Sequence, residues 1–159
     1  MNARLDFMKY VSSGMGRAML HLSHEVTSHL DKRLFELVKI RASQINGCAY
    51  CIDMHTKDAR AAGESEQRLY LLSAWRESPQ YSDRERAALQ WTESVTLLSE
   101  THVPDEDYEQ ARAHFSEEEL VNLSMAIIAI NGWNRLCVGF RRLPGAYQPA
   151  RPKPVTQLA

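Results

Sequence analysis

Two cysteines and a histidine fall within eight residues, Cys48-Ala-Tyr-Cys51-Ile-Asp-Met-His55, in a chain that has only three cysteines. Two thiols at this spacing can cycle between dithiol and disulfide. A histidine one helical turn past the second can accept a thiol proton. If the segment is helical, the spacing i, i+3, i+7 puts all three on one face. Cys48 then sits at the helix start, where unpaired backbone N–H groups and the macrodipole favour a thiolate. Cys51 lies one turn before His55. The dipole thus favours Cys48 as the attacking thiol, and the histidine favours Cys51. A thiolate at either position can take an oxygen from a peroxide to give a sulfenic acid, which the neighbouring thiol condenses to a disulfide.

The elements that must position this cluster read as helices throughout, because no segment alternates apolar and polar residues between turn signals. Asp31 can cap a helix carrying Leu34, Leu37, Val38 and Ile45 and ending near Asn46-Gly47. A second helix starts at about Cys48 and stops before Gly63. A short helix covers Glu66 to Trp75, closed by Ser78-Pro79. Ser82-Asp-Arg-Glu85 is a capping box, followed at helical spacing by Ala88, Trp91, Thr92, Val95 and Leu98. Another short helix fits Asp105 to His114. Ser116-Glu-Glu-Glu119 opens a long helix to about Phe140. Around Phe7 to His29 the helical pattern is interrupted by Ser12, Ser13, Gly14 and Gly16. From Leu120 to Ile130 the chain is apolar nearly all round, which predicts a helix buried on every side, in the core and at a subunit interface. The expected fold is a single all-α domain over residues 1–142 with an extended Pro-rich tail over 143–159, carrying Pro144, Pro149, Pro152 and Pro154.

A third group can orient the histidine. If the first two helices form an antiparallel hairpin about Asn46-Gly47, Glu36 stands about 16 Å and His55 about 12 Å from the corner at the standard rise. The two are within a turn of the same height. A carboxylate there would hold the imidazole tautomer and raise its basicity.

Glu36, Cys48, Cys51 and His55 together read E-x11-C-x2-C-x3-H. This resembles the core motif of the AhpD-like alkylhydroperoxidases, in the carboxymuconolactone decarboxylase superfamily. The match is densest from Leu34 to Gly63, LFELVKIRASQINGCAYCIDMHTKDARAAG, and extends through Ser82–Trp91 and Asn131–Leu136. The resemblance implies an AhpD-like helical bundle assembled as a homo-oligomer, a trimer or hexamer. It implies reduction of hydroperoxides with no metal or flavin of its own, and recycling by an external dithiol such as a lipoyl-bearing protein. Carried onto this chain, Cys51 is the peroxidatic thiol, Cys48 the resolving one, and Glu36 and His55 the proton relay. One position departs: a second histidine stands between the cysteines in the well-characterised enzymes, where this chain has Tyr50. That substitution bears on peroxide turnover and on the lipoyl-type partner more than on the redox pair. A general disulfide oxidoreductase or redox sensor, and a decarboxylase or lactone-type enzyme, are the alternatives.

Other readings of the cluster are weaker on chemistry. Structural zinc takes four ligands and only three gather here. A thioredoxin-type pair needs a βαβ setting, and no strand precedes Cys48. Cys137 reads as a small buried apolar group, and Trp75, Trp91 and Trp133 as core. Asn131, Asn134 and Arg135 read as groups that satisfy buried polar atoms. His21, His24 and His29 read as solvated, and His102 and His114 as helix-end residues. A net charge of −1 supplies no field for nucleic acid or an anionic membrane. The longest apolar run, Met125 to Ile130, is far too short to span a bilayer. With no secretory pattern at the N-terminus, the expected location is the cytoplasm, where thiols stay reduced.

Overall fold

The computed structural model describes residues 2–28 and 31–149, and within them every regular element is a helix. These are α1 (Met8–Val11), α2 (Gly14–Glu25), α3 (Lys32–Ile45), α4 (Ala49–Ala61), α5 (Glu66–Leu71), α6 (Asp83–Thr96), α7 (Leu98–Thr101), α8 (Asp105–Arg112) and α9 (Glu117–Gly139). Local chemistry sets the starts. Asp31 accepts from the Leu34 amide at 2.9 Å to open α3. Ser82 with Glu85, and Ser116 with Glu119, form complete capping boxes at α6 and α9.

Helix α3 is the centre of the bundle and packs against α4, α6 and α9. Leu34 and Val38 meet Ala88 and Trp91 of α6 and Leu123 and Ile127 of α9. On the other side, Leu37 and Ile40 meet Ala59, Leu72, Trp75 and Leu89. Each fully buried leucine or isoleucine of this kind contributes roughly 1.5–3 kcal/mol. Arg41 bonds Glu93 of α6 at 2.8 Å, and the same carboxylate oxygen accepts from Trp75 Nε1 at 2.8 Å.

The α3–α4 corner is built in one way only. Gly47 has φ +63°, a left-handed conformation that costs glycine nothing. The Cys48 amide then bonds the Ser43 carbonyl at 2.9 Å and the Gly47 amide bonds Gln44 at 3.2 Å, a Schellman motif. Cys48 both closes this motif and is the N-cap residue of α4. The Asn46 side-chain amide bonds the Ala42 carbonyl at 2.9 Å, Asn131 Oδ1 at 2.9 Å and Asn134 Oδ1 at 3.0 Å, fastening the corner to α9.

Some expectations need correction. The segment after Glu66 is not one α-helix: it tightens to a 3-10 helix over Leu72–Glu77, with a kink at Ala74. Helix α6 stops at Thr96. Leu97 leaves helical geometry, Thr101 Oγ1 bonds the Ser94 carbonyl, and Leu98 points outward. The apolar stretch of α9 is not covered on every side within the chain, since Val121, Met125 and Ile128 are exposed at i, i+4, i+7. Residues 143–149 lie against α4. The Gly145 amide donates to Asp53 at 2.9 Å, Lys57 to the Tyr147 carbonyl at 3.1 Å, and Tyr147 Oη to Asp58 at 2.7 Å. Pro152, Pro154 and the rest of the tail lie outside the described residues, as does His29. Among the described residues no helix is long and apolar enough to cross a membrane.

Asn46→Ala removes the side-chain bonds to Ala42, Asn131 and Asn134; Asn131 Oδ1 keeps Arg135, but Asn134 Oδ1, on an essentially inaccessible residue, loses its donor. It should cost about 2–3 kcal/mol, read as a lower urea midpoint at unchanged slope. An unchanged midpoint would mean that the amide is not what holds the corner.

Candidate active site

The hairpin brings the four sequence-predicted residues to one side of α3 and α4. His55 Nδ1 stands 3.2 Å from Glu36 Oε2, with both side chains buried. The imidazole N–H is not aimed at the oxygen, so this is a close contact rather than a well-directed hydrogen bond. Contacts of this kind commonly tighten when substrate binds. With Nδ1 turned to Glu36, Nε2 is the nitrogen left for chemistry.

The second oxygen of Glu36 holds a residue that the sequence reading missed. Lys39 Nζ lies 2.7 Å from Glu36 Oε1 and 4.0 Å above the Phe35 ring. The available signal was the i, i+3 spacing of Glu36 and Lys39 on a helix with an otherwise apolar face. Burial would raise the Glu36 carboxyl, but contacts with His55 and Lys39 outweigh it and hold the pKa below the usual carboxylate value. Burial lowers His55, only partly opposed by Glu36, so the imidazole is neutral and free to accept a proton. Burial also lowers Lys39, again opposed by Glu36. One end of α4 adds Asp58, whose carboxylate lies close to Glu36 and His55 and accepts from Tyr147.

These groups edge a pocket of about 270 Å³ whose wall is mostly apolar. Cys51, His55 and Lys39 line it, with Phe35, Met54, Trp133 and, from the N-terminal segment, Phe7, Leu20 and Val26. Trp133 packs against the buried cluster, as its sequence reading expects, and also lines the pocket; its Nε1 bonds Ser23 of α2 at 2.7 Å. Tyr50 also lines the pocket, with the Arg142 guanidinium 4.2 Å over its ring. Burial pushes the Tyr50 phenol up, which keeps it a donor. Cys48 is buried and is not part of the pocket wall.

Cys137 joins the cysteine pair. The three sulfurs lie within 4.8 Å of one another, and all three thiols are free and buried. Hydrogen bonds from Cys137 and then Cys51, working against burial, pull the Cys48 thiol well below its ordinary value. The same sharing pushes Cys51 and Cys137 up. Within the cluster the shift favours the thiolate at Cys48, at the start of α4, over the other two. As metal donors, the three thiols form a soft set suited to thiophilic ions. They supply one ligand fewer than structural zinc takes. Glu36, His55 and Asp58 form a second set of three, whose carboxylates already bind Lys39 and Tyr147.

Asn131, Asn134 and Arg135 serve the frame: Asn134 Nδ2 bonds Ser43 Oγ at 3.0 Å, and Arg135 bonds the Asn131 carbonyl at 3.0 Å. His21 and His24 are exposed beside Glu25. His102 has left-handed φ at the end of α7, and the His114 carbonyl accepts from Arg84.

A dithiol that opens a helix, backed by a buried carboxylate and imidazole in an all-helical bundle, defines an AhpD-like protein. Residues 14–94 match the carboxymuconolactone decarboxylase family, and the chain belongs to that family. It is 45% identical over 138 residues to the uncharacterized protein YdfG of Bacillus subtilis, covering 87% of this chain and 94% of that one. The fold matches the crystal structure of a protein of unknown function from Agrobacterium tumefaciens, provisionally assigned to antioxidant defence as AhpD. That match has a TM-score of 0.87 and 47% identity, over 92% of this chain and 100% of the other. A peroxidase-related protein with an AhpD core from Ralstonia eutropha shares the fold at TM-score 0.73 and 20% identity, over 83% of this chain and 71% of the other.

The lowered pKa values of His55 and Glu36 fix a pH dependence. Below about 6.5, the ordinary histidine value, the unfolded chain binds a proton at position 55 that the folded chain resists, and Glu36 adds to this below about 4.5. Stability is complete above that range and falls as pH drops. Urea denaturation of His55→Gln between pH 7 and 5 should show a shallower fall than the parent. An identical slope would mean that His55 is not buried as the neutral imidazole.

Proposed function

We propose that this protein is a thiol peroxidase that reduces organic hydroperoxides through a Cys48–Cys51 dithiol/disulfide cycle, with Glu36 and His55 as the proton relay. The observation that carries it is the placement of Cys51, beside His55 on the wall of an apolar pocket, with Cys48 behind it. Charge favours Cys48 as nucleophile and access favours Cys51. Access decides, because the sulfur must touch the peroxide oxygen. His55 takes the Cys51 proton, and Glu36 stabilises the imidazolium. The Cys51 thiolate attacks the peroxide, the O–O bond breaks, Cys51 becomes a sulfenic acid, and the alkoxide leaves as alcohol with the proton from His55. The Cys48 sulfur then attacks Cys51 Sγ: the S–S bond forms, the S–O bond breaks, and hydroxide leaves with the Cys48 proton as water. Tyr50 stands where a second histidine would; with its phenol held protonated, it serves as a donor beside the pocket rather than as a second base.

Two electrons must then come from outside, and a dithiol such as a lipoyl group on a carrier protein has the chemistry and the slender reach. The exposed stripe of Val121, Met125 and Ile128 on α9 supports a homo-oligomer, a trimer or hexamer. Free thiols in this cluster suit the reducing cytoplasm.

Stopped-flow oxidation of the reduced protein by cumene hydroperoxide should be fast and lost in Cys51→Ser. His55→Ala should slow it by about 10²–10⁴-fold. Rates typical of an ordinary exposed thiol, unchanged in Cys51→Ser, would overturn the peroxidase reading. They would leave a disulfide oxidoreductase without peroxide turnover.

A further inference from the structure

Cys137 lies outside the motif, yet the fold delivers it to the reacting sulfurs. Its Sγ is within 4.8 Å of both Cys48 and Cys51. Of the three, Cys51 and Cys137 line the pocket and Cys48 does not. Its position is fixed from both sides. One turn earlier, Asn134 is held by Asn46 and Ser43, the residues of the corner that carries Cys48. One turn later, the Cys137 carbonyl accepts from the Arg142 amide at 2.9 Å. The thiol's link to Cys48 raises its pKa, and the Arg142 guanidinium works against that rise. A cysteine that only filled space would need neither two sulfur neighbours nor a cation beside it.

We propose that Cys137 is a third redox thiol, able to close a disulfide with Cys51 on the pocket side of the cluster. The proposal rests on the reading of this site as a dithiol redox centre. After a hydroperoxide has converted Cys51 to the sulfenic acid, the Cys137 sulfur attacks Cys51 Sγ. The S–S bond forms, the S–O bond breaks, and hydroxide leaves with the Cys137 proton as water. The same bond is reached from the Cys48–Cys51 disulfide by exchange: Cys137 thiolate attacks Cys51 Sγ and Cys48 departs as thiolate, with no net oxidation. Either way the disulfide moves from the closed side of the cluster to the side that faces the pocket, where an incoming dithiol would meet it.

The test uses the full chain as Cys48→Ser, with folding checked by circular dichroism. The reduced protein is treated with one equivalent of diamide, which oxidises thiols without any peroxide chemistry, and in parallel with cumene hydroperoxide. Remaining thiols are alkylated under denaturing conditions, and peptides are mapped by mass spectrometry. The expected result is that most of the Cys51 peptide is joined to the Cys137 peptide within one chain, and that Cys48→Ser/Cys137→Ser shows no such link. With hydroperoxide, the double variant should accumulate sulfenic acid at Cys51, trapped by dimedone, several-fold above the single variant. Recovery of Cys51 and Cys137 as separate alkylated peptides from folded, diamide-treated Cys48→Ser overturns the proposal. Should Cys48→Ser not fold, the parent protein is oxidised briefly with substoichiometric diamide. A Cys51–Cys137 link beside Cys48–Cys51 supports the third thiol, and its absence overturns it. A link that forms with diamide but not with hydroperoxide supports the third thiol and removes only the peroxidase reading.

Discussion

The side-chain amide of Asn46 is the tie on which the site depends. It leaves the end of α3, reaches the Ala42 carbonyl behind it, and grips Asn131 and Asn134 on α9. Because the next two residues are the left-handed Gly47 and the N-cap Cys48, fastening Asn46 fastens the start of α4. Because Cys137 lies one turn past Asn134, the same amide also sets the height of the third sulfur. A single side-chain amide here helps determine where three sulfurs meet. Asn134 is buried, so loosening the tie leaves its Oδ1 without a donor.

Electrostatics at the site is a matter of small, mutually held charges in a dry place. Glu36 is divided between Lys39 and His55, one oxygen to each. A buried carboxylate alone would protonate, and a buried lysine alone would lose its proton. Together they keep an ion pair beside a neutral imidazole, so that a proton arriving at His55 is met by a charge already present. Lys39 rests on the Phe35 ring, which lets a cation border an apolar pocket without a shell of water. The thiols follow the same rule: contacts with Cys137 and Cys51 lower Cys48 against the effect of burial, and raise its two neighbours.

Much of this was legible in the sequence, and the reasons are local. Asp31, Ser82 and Ser116 cap helices through their own side chains, so the helix starts could be read from one residue and its near neighbours. The Glu36–His55 proximity followed from heights within one turn of each other along two arms of a hairpin. What stayed hidden depended on long-range packing. The kink at Ala74 and the break at Leu97 arise where the chain turns to meet other helices, and no breaker residue marks either. Cys137 read as filler because eighty-six positions separate it from Cys51, and only the register of α9 against α3 brings it back. Lys39 was overlooked because a lysine on a helix is ordinarily solvated. The open stripe on α9 was read as wholly buried because an apolar pattern cannot say which neighbour covers it.

The roof of the pocket is made differently from its floor. Helix α2 has no buried residue at all. It is held by Leu22 packed on Val26, Phe35 and Ala126, by Met19 resting in the notch left by Gly132 and by the Trp133–Ser23 bond. Such a segment opens at little cost while the frame stays intact. The sulfurs themselves sit in an apolar cluster with Phe7, Val11 and Ile130, while α2 contributes Leu20 and Ser23 to the pocket that reaches Cys51 and Cys137. A helix with so few buried anchors is the part of the wall that can change with least effect on the residues that α3, α4 and α9 hold in place.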